Sequence, residues 1–236
     1  MVDNGSILVT GAAGQLGSVG RTVTGLLLDR GFSVRAMVRR EDERAASLRA
    51  AGAQIVVGDL LEPGDVYRAV SGCSRVYFSM SVNAGYLEAA LTMTAVAREA
   101  GVSALVNMSQ MTVSEMSIQN TTPSHQQRQH WLSEQALAWS SLPVVTIRPT
   151  MFLESFLQLA APSVRSRDCI ELPFGRGKTS PVAAADVAQV VAAVLTDPVP
   201  HPGLMYQLQR TAVESSFLKM PSRWAARAAF ARFQQQ

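Results

Sequence analysis

The feature that most constrains this chain is a run of small residues close to its start. The apolar stretch Ile7-Leu8-Val9-Thr10 leads into Gly11-Ala12-Ala13-Gly14-Gln15-Leu16-Gly17-Ser18-Val19-Gly20, and an apolar helical run follows to Leu28, ahead of Arg30-Gly31. A short strand, a turn of small residues and an amphipathic helix make the opening step of a βαβ unit that holds a dinucleotide. Glycines at 11, 14 and 17 let the backbone turn sharply and leave it open to a pyrophosphate. Unpaired amide N–H groups and the positive end of the helix dipole then stabilise the pyrophosphate charge. Ala13, Gln15 and Leu16 share the turn and are expected to touch the same ligand. A tight turn that binds nothing uses similar residues, but a second strand at Ser33-Val34-Arg35-Ala36-Met37-Val38 favours the binding reading.

Further strands read at Gln54-Ile55-Val56-Val57, Arg75-Val76-Tyr77-Phe78-Ser79, Ala104-Leu105-Val106-Asn107-Met108, Val144-Val145-Thr146-Ile147-Arg148 and Met205-Tyr206-Gln207-Leu208. Helical stretches alternate with them: a short one through Leu48, then Pro63 to Val70, Leu87 to Ala100, a start near Thr121 to Ser124 running on to Trp139, and one opened by Asp186 through Leu195. This alternation predicts an α/β fold with a doubly wound parallel sheet. Residues 1–150 form the dinucleotide-binding part and residues 151–236 a smaller, shortened substrate-covering region, with 182–208 returning to the core. Residues 151–181 read as irregular, with proline and glycine punctuation and the exposed-looking segment Phe174-Gly175-Arg176-Gly177-Lys178.

In a sheet of this kind the site lies along the carboxyl ends of the strands. Arg39 and Arg40 follow the second strand, where an acid selects NAD and an arginine accommodates the 2′-phosphate of NADP, so NADP(H) is the expected cofactor. As a surface feature, Arg39 to Arg44 is a solvated helix start. Asp59 and Leu60 lie where the adenine belongs, and Asp59 serves equally well as a cap for the next helix. Ser79, Met80 and Ser81 fall on the crest over which the cofactor runs. Ser109 follows the fifth strand and either meets substrate or the nicotinamide ribose or closes the strand end. Met80, Met111 and Met151 either line an adaptable apolar pocket or fill the core, and Phe152 is expected to meet substrate together with Met111 and Met151.

The full chain of 236 residues carries a formal charge of +3, unevenly spread. Five of the 21 basic residues and one of the 18 acidic ones lie from Arg210 onward, leaving 16 against 17 before it. A nearly neutral body gives nucleic-acid binding little electrostatic support. No apolar run is long enough to span a bilayer and no signal-peptide pattern opens the chain, so a cytoplasmic location with no membrane contact is expected. Two cysteines, Cys73 and Cys169, and three histidines do not cluster, and no metal is expected. In the tail, Trp224, Phe230 and Phe233 alternate with Arg223, Arg227 and Arg232, a pattern for packing on the body, for a homodimer contact or for touching an anionic surface, with packing or dimerisation expected because the tail is short.

Gly11-Ala12-Ala13-Gly14, Arg39-Arg40, Gly58-Asp59-Leu60, His130-Trp131 before Glu134, and Ile147-Arg148-Pro149 together resemble the NmrA-like atypical branch of the short-chain dehydrogenase/reductase superfamily over about residues 5–208. The resemblance implies a Rossmann fold binding NADP(H) in an extended pose, with a small-molecule substrate over the nicotinamide. About three residues are added between the glycine turn and Arg30-Gly31, so Gly17 and Gly20 compete for the third-glycine place. The residues after Gln209 depart from the family's pattern.

The wider superfamily moves a proton with a tyrosine whose pKa is lowered by a lysine one helical turn later. No tyrosine here has lysine four residues on, and lysine occurs only at 178 and 219. By the resemblance, aligned on Glu134 and Arg148, His130 lies near a position that carries lysine in many relatives. It either donates a hydrogen bond or proton in the site or sits on the helix surface beside Trp131. Hydride transfer asks little more than alignment and exclusion of water. The chain is therefore expected to be an NADPH-dependent oxidoreductase reducing a small apolar acceptor such as a quinone or enone, the alternative being a non-catalytic NADP(H) sensor that acts on a protein partner.

Overall fold

Strand β1 (Ser6–Val9) and helix α1 (Val19–Asp29) flank the small-residue turn. The computed structural model of the protein describes residues 5–14, 19–172, 180–197 and 203–209. Gln15, Leu16, Gly17, the segment Phe174 to Lys178 and the tail from Arg210 therefore lie outside the described residues. The chain continues through β2 (Val34–Val38), α2 (Glu43–Ala50), β3 (Gln54–Val57), α3 (Pro63–Val70), β4 (Cys73–Phe78), α4 (Tyr86–Glu99), β5 (Ala104–Met108), α5 (His125–Trp139), β6 (Val144–Pro149), α6 (Leu153–Arg167), α7 (Ala184–Thr196) and β7 (Met205–Leu208).

Among the described residues, seven strands form one sheet in the order β3-β2-β1-β4-β5-β6-β7, every pair parallel. Parallel pairing forces each connection to cross a face of the sheet, and helices cover both faces. On one face, Val23 and Leu27 of α1 and Val187, Val191 and Leu195 of α7 pack on Ile7, Val9 and Tyr77. On the other, Val66 of α3, Ala89 and Met93 of α4 and Leu137 of α5 pack on Leu8, Val76 and Leu105. The central strands are buried on both sides, which is why they read as unbroken apolar runs rather than as alternating ones. Sheet order reverses between β1 and β4, and a crevice opens there at the strand carboxyl ends. No helix among the described residues is long and apolar enough to cross a membrane.

One expectation is corrected. Residues 151–181 are not irregular throughout, since α6 occupies Leu153–Arg167 with Pro162 inside it. An interior proline removes a backbone donor and ordinarily ends a helix. Contacts remote in sequence fix the N-terminal end of the element. Phe152 bridges to Val182, and the Glu154 carboxylate accepts from the Ala184 N–H at 3.2 Å, capping α7 from α6.

Candidate functional site

The crest between β1 and β4 is pinned by Thr10. Its hydroxyl donates to the Ser79 carbonyl at 2.9 Å and accepts from the Ser79 N–H at 2.9 Å, while its own N–H donates to the Tyr77 carbonyl at 3.0 Å. Gly11 follows at φ +69°, and a Cβ there would stand 2.7 Å from the Ser79 carbonyl oxygen. The turn closes as the Gly14 N–H donates to the Gly11 carbonyl at 3.0 Å. Gly20, at the start of α1, backs onto the same point: a Cβ on it would meet the Gly11 carbonyl carbon and oxygen at 2.8 Å. Close packing of helix against turn therefore falls on Gly20, whatever the place of Gly17.

A cleft runs along this crest in two connected parts that share Gly11, Gly14, Ser79, Met80 and Ser81. The first part, about 290 Å³, is also lined by Ala13, Arg39, Arg40, Asp59 and Leu60, together with Arg44, Gly58 and Asn83. The second, about 590 Å³, is lined by Ser109, Met111, His130, Met151 and Phe152, together with Gly20, Gln110 and Thr150. Every described residue singled out from the sequence thus lies on one continuous surface.

In the first part the Arg39 guanidinium stands 3.8 Å from the Asp59 carboxylate and is largely exposed, leaving its charge available to an anion. Asp59 accepts from the Leu61 N–H at 3.0 Å, and its own N–H donates to Asp65. This corrects the capping alternative: Asp59 closes the turn before α3, whose N-cap is Glu62. Asp42 is the N-cap of α2, accepting from the N–H groups of Arg44 and Ala45. The Arg44 side chain, hydrogen-bonded to Asp42, and these backbone donors hold the Asp42 carboxyl below the usual range. Arg44 also donates to the Ala13 carbonyl at 2.9 Å, tying the charged run to the glycine turn. Arg44 was not singled out from the sequence; the signal was Asp42 two residues before it, a cap that brings the arginine back over the turn.

In the second part, His130 is buried, not on the helix surface as its alternative reading had it. Its Nδ1 lies 3.0 Å from the Tyr86 hydroxyl, and the two rings meet edge to face at 4.8 Å. Burial pushes the imidazole pKa down to about 4, so the ring is neutral near pH 7. One turn further along α5, Glu134 receives a bidentate pair from Arg148 of β6: Nε to Oε1 at 3.0 Å, with Nη2 on Oε2. Ser109 donates its N–H to the Ile147 carbonyl at 2.8 Å, while its buried Oγ and the Gln110 Nε2 have no partner among the described residues. The strand-end role thus belongs to the Ser109 backbone, and its hydroxyl is left for a ligand. Met80 and Phe152 both pack on the core and line the cleft, so for Met80 the pocket and core readings coincide.

The buried histidine carries a stability prediction. A neutral native ring and an ordinary unfolded one mean that the unfolded state binds more protons between pH 6.5 and 4. Stability is present above pH 6.5 and lost as pH falls through that window, by up to about 3 kcal/mol. Denaturant unfolding of the wild type and His130→Gln across this range is expected to show a shallower acid loss in the variant.

These features suit a dinucleotide. A backbone cradle that a Cβ would fill, an exposed guanidinium at one end and an orphaned buried hydroxyl at the other match a diphosphate, a ribose phosphate and the polar edge of a nicotinamide or its acceptor. Comparison with known proteins agrees. Residues 11–198 match the family described as NAD(P)H-binding. The NAD(P)H azoreductase of Xenophilus azovorans is 28% identical over 192 residues, covering 81% of this chain and 64% of the azoreductase. The chain thus spans less than two thirds of that relative's length. Two of the solved structures that share the fold illustrate the likeness. They are the Citrobacter sp. triphenylmethane reductase with NADP(H), at TM-score 0.73 and 23% identity over 86% of this chain and 70% of that one, and the Escherichia coli NADPH-dependent quinone oxidoreductase with NADPH, at TM-score 0.74 and 24% identity over 86% and 69%.

Proposed function

The chain belongs to the NAD(P)H-binding family, and from that premise we propose that it is an NADPH-dependent reductase that passes hydride to a small, fairly apolar acceptor of the quinone, enone or azo class. The observation that carries the reading is the single cleft, with a glycine turn and arginines at one end and an apolar, polar-floored chamber at the other. The names of the azoreductase and the quinone oxidoreductase support the acceptor class.

Bound NADPH supplies the hydride. Gly11, Ala13 and Gly14 present the turn to the diphosphate, and Gln15, Leu16 and Gly17 are further proposed cofactor contacts. Arg39 takes the 2′-phosphate, with Arg40 beside it. Asp59 and Leu60 flank the adenine, and Ser79, Met80 and Ser81 form the floor beneath the cofactor's middle. Met111, Met151 and Phe152 hold the flat acceptor and exclude water. Ser109 and neutral His130 hydrogen-bond the acceptor's polar atom as it gains electron density. The acceptor gains one hydride from the cofactor and one proton from solvent, so no Tyr-Lys pair is needed.

Arg39→Ala is expected to weaken NADPH binding about tenfold or more, the loss of one charged hydrogen-bond partner. NADH binding should change less than about threefold, since NADH lacks the 2′-phosphate. Titration with both cofactors checks this, and equal losses would remove Arg39 from the phosphate. The function itself is tested by following NADPH consumption with a panel of quinones, enones and azo dyes. Saturable turnover with at least one class is expected. Tight binding with no turnover of any of them would transfer the weight to the sensor reading, tested by whether partner binding differs between NADP and NADPH.

A further inference from the structure

Tyr86 is the first residue of α4 and wholly buried, outside both the glycine turn and the run of acceptor contacts. Its hydroxyl lies 3.0 Å from His130 Nδ1 and 3.4 Å from the Met108 carbonyl, with the Ser133 side chain a third polar neighbour. A phenol has one proton to donate; the Met108 carbonyl can accept it only over the longer 3.4 Å contact, so the 3.0 Å, edge-to-face contact with the imidazole is the better placed acceptor. Ser133 cannot supply the ring instead, because its hydroxyl donates to the His130 carbonyl at 2.9 Å. His130 lines the acceptor chamber, so with Nδ1 occupied its Nε2 is the nitrogen left for a ligand.

We propose that Tyr86 is a positioning residue: by donating to Nδ1 it fixes His130 as the Nε2–H tautomer and aims that N–H into the acceptor chamber. A neutral imidazole can present either a donor or an acceptor at Nε2, and the hydrogen bond at the other nitrogen decides which. An acceptor taking hydride gains electron density on oxygen or nitrogen, which an N–H stabilises and a bare nitrogen lone pair repels. Burial of both rings reinforces the arrangement. It raises the Tyr86 pKa well above its ordinary value, keeping the phenol protonated, and holds the imidazole uncharged. The Glu134–Arg148 pair, one turn along α5, fixes the helix that carries the histidine to β6. The kinetic consequence rests on the reductase reading; the tautomer does not.

The test is long-range proton–nitrogen spectroscopy of the full chain with 15N-labelled histidine near neutral pH. Three histidines are present, and the His130 signal is the one lost in His130→Gln. Expected in the wild type is a protonated Nε2 with an unprotonated Nδ1; a protonated Nδ1 overturns the proposal outright, without any variant needing to fold. In Tyr86→Phe the His130 pair should shift and broaden as the ring is released, and sharp unchanged signals would equally overturn it. With an acceptor that the wild type reduces, Tyr86→Phe should lower kcat about tenfold with KM for NADPH unchanged, the loss of one aligned hydrogen bond. It should have no further effect in a His130→Ala background. A full Tyr86→Phe effect in that background means Tyr86 does not act through the histidine. If the expected tautomer is seen but no acceptor is turned over, the reductase reading fails and the positioning stands.

Discussion

Gly11→Ala is expected to weaken NADPH binding at least about 100-fold, a loss of about 3 kcal/mol, while leaving a folded chain. Two effects act at once. At φ +69° an L side chain is strained, by about 1–2 kcal/mol. The new methyl would also stand 2.7 Å from the Ser79 carbonyl oxygen, a backbone atom that cannot swing away. Relief requires the turn to lift off the crest, so the amides that face the diphosphate lose their aim, and overpacking adds about 1–3 kcal/mol. Fluorescence titration gives the affinity and thermal unfolding confirms the fold. A dissociation constant within threefold of the wild type would show that the turn does not carry the cofactor.

Arg148→Met is expected to cost about 3–5 kcal/mol of stability, because it leaves the Glu134 carboxylate buried without its partner. The pair spans α5 and β6 and both side chains are almost wholly enclosed, so water cannot replace what is lost. Changing both residues together, Glu134→Leu with Arg148→Met, should recover much of the loss, since no buried charge remains unpaired. Denaturant unfolding of the two single variants and the double variant separates the pairwise contribution. A single-variant loss below about 1 kcal/mol would mean the pair is solvated in solution.

Much of the architecture is legible in the residues. Gln54–Val57, Pro63–Val70, Ala104–Met108 and Met205–Leu208 carry bounds that agree between sequence and structure, because apolar runs bounded by Gly, Pro and polar residues are local signals. Helix α6 escaped that reading because Pro162 inside it is a local breaker signal, while the contacts that fix where the helix starts, the Phe152–Val182 bridge and the bond from the Ala184 N–H to Glu154, are remote in sequence. The polar environment of His130 was hidden for a related reason. Gln129, His130, Ser133 and Glu134 on α5 resemble a solvated face, yet all are buried: His130 and Glu134 are matched across space by Tyr86 and Arg148, while Gln129 and Ser133 bond within the helix. Polar residues on a buried face are recognised only through partners that the sequence does not place beside them. Arg44 was concealed in the same way, since its link to the Ala13 carbonyl depends on where α2 docks.

The central claim is that the cleft from Arg39 to Phe152 binds NADPH and delivers its hydride to a small acceptor. The measurement that tests it most directly is a fluorescence titration of the protein with NADPH and with NADH, followed by addition of a menadione-type quinone to the same cuvette. The account predicts saturable binding that favours NADPH, then loss of the reduced-cofactor signal that depends on both quinone and protein. Failure to bind either cofactor would contradict it at the glycine turn, and binding with a signal indifferent to quinone and to the rest of the acceptor panel would contradict it at the chamber around His130.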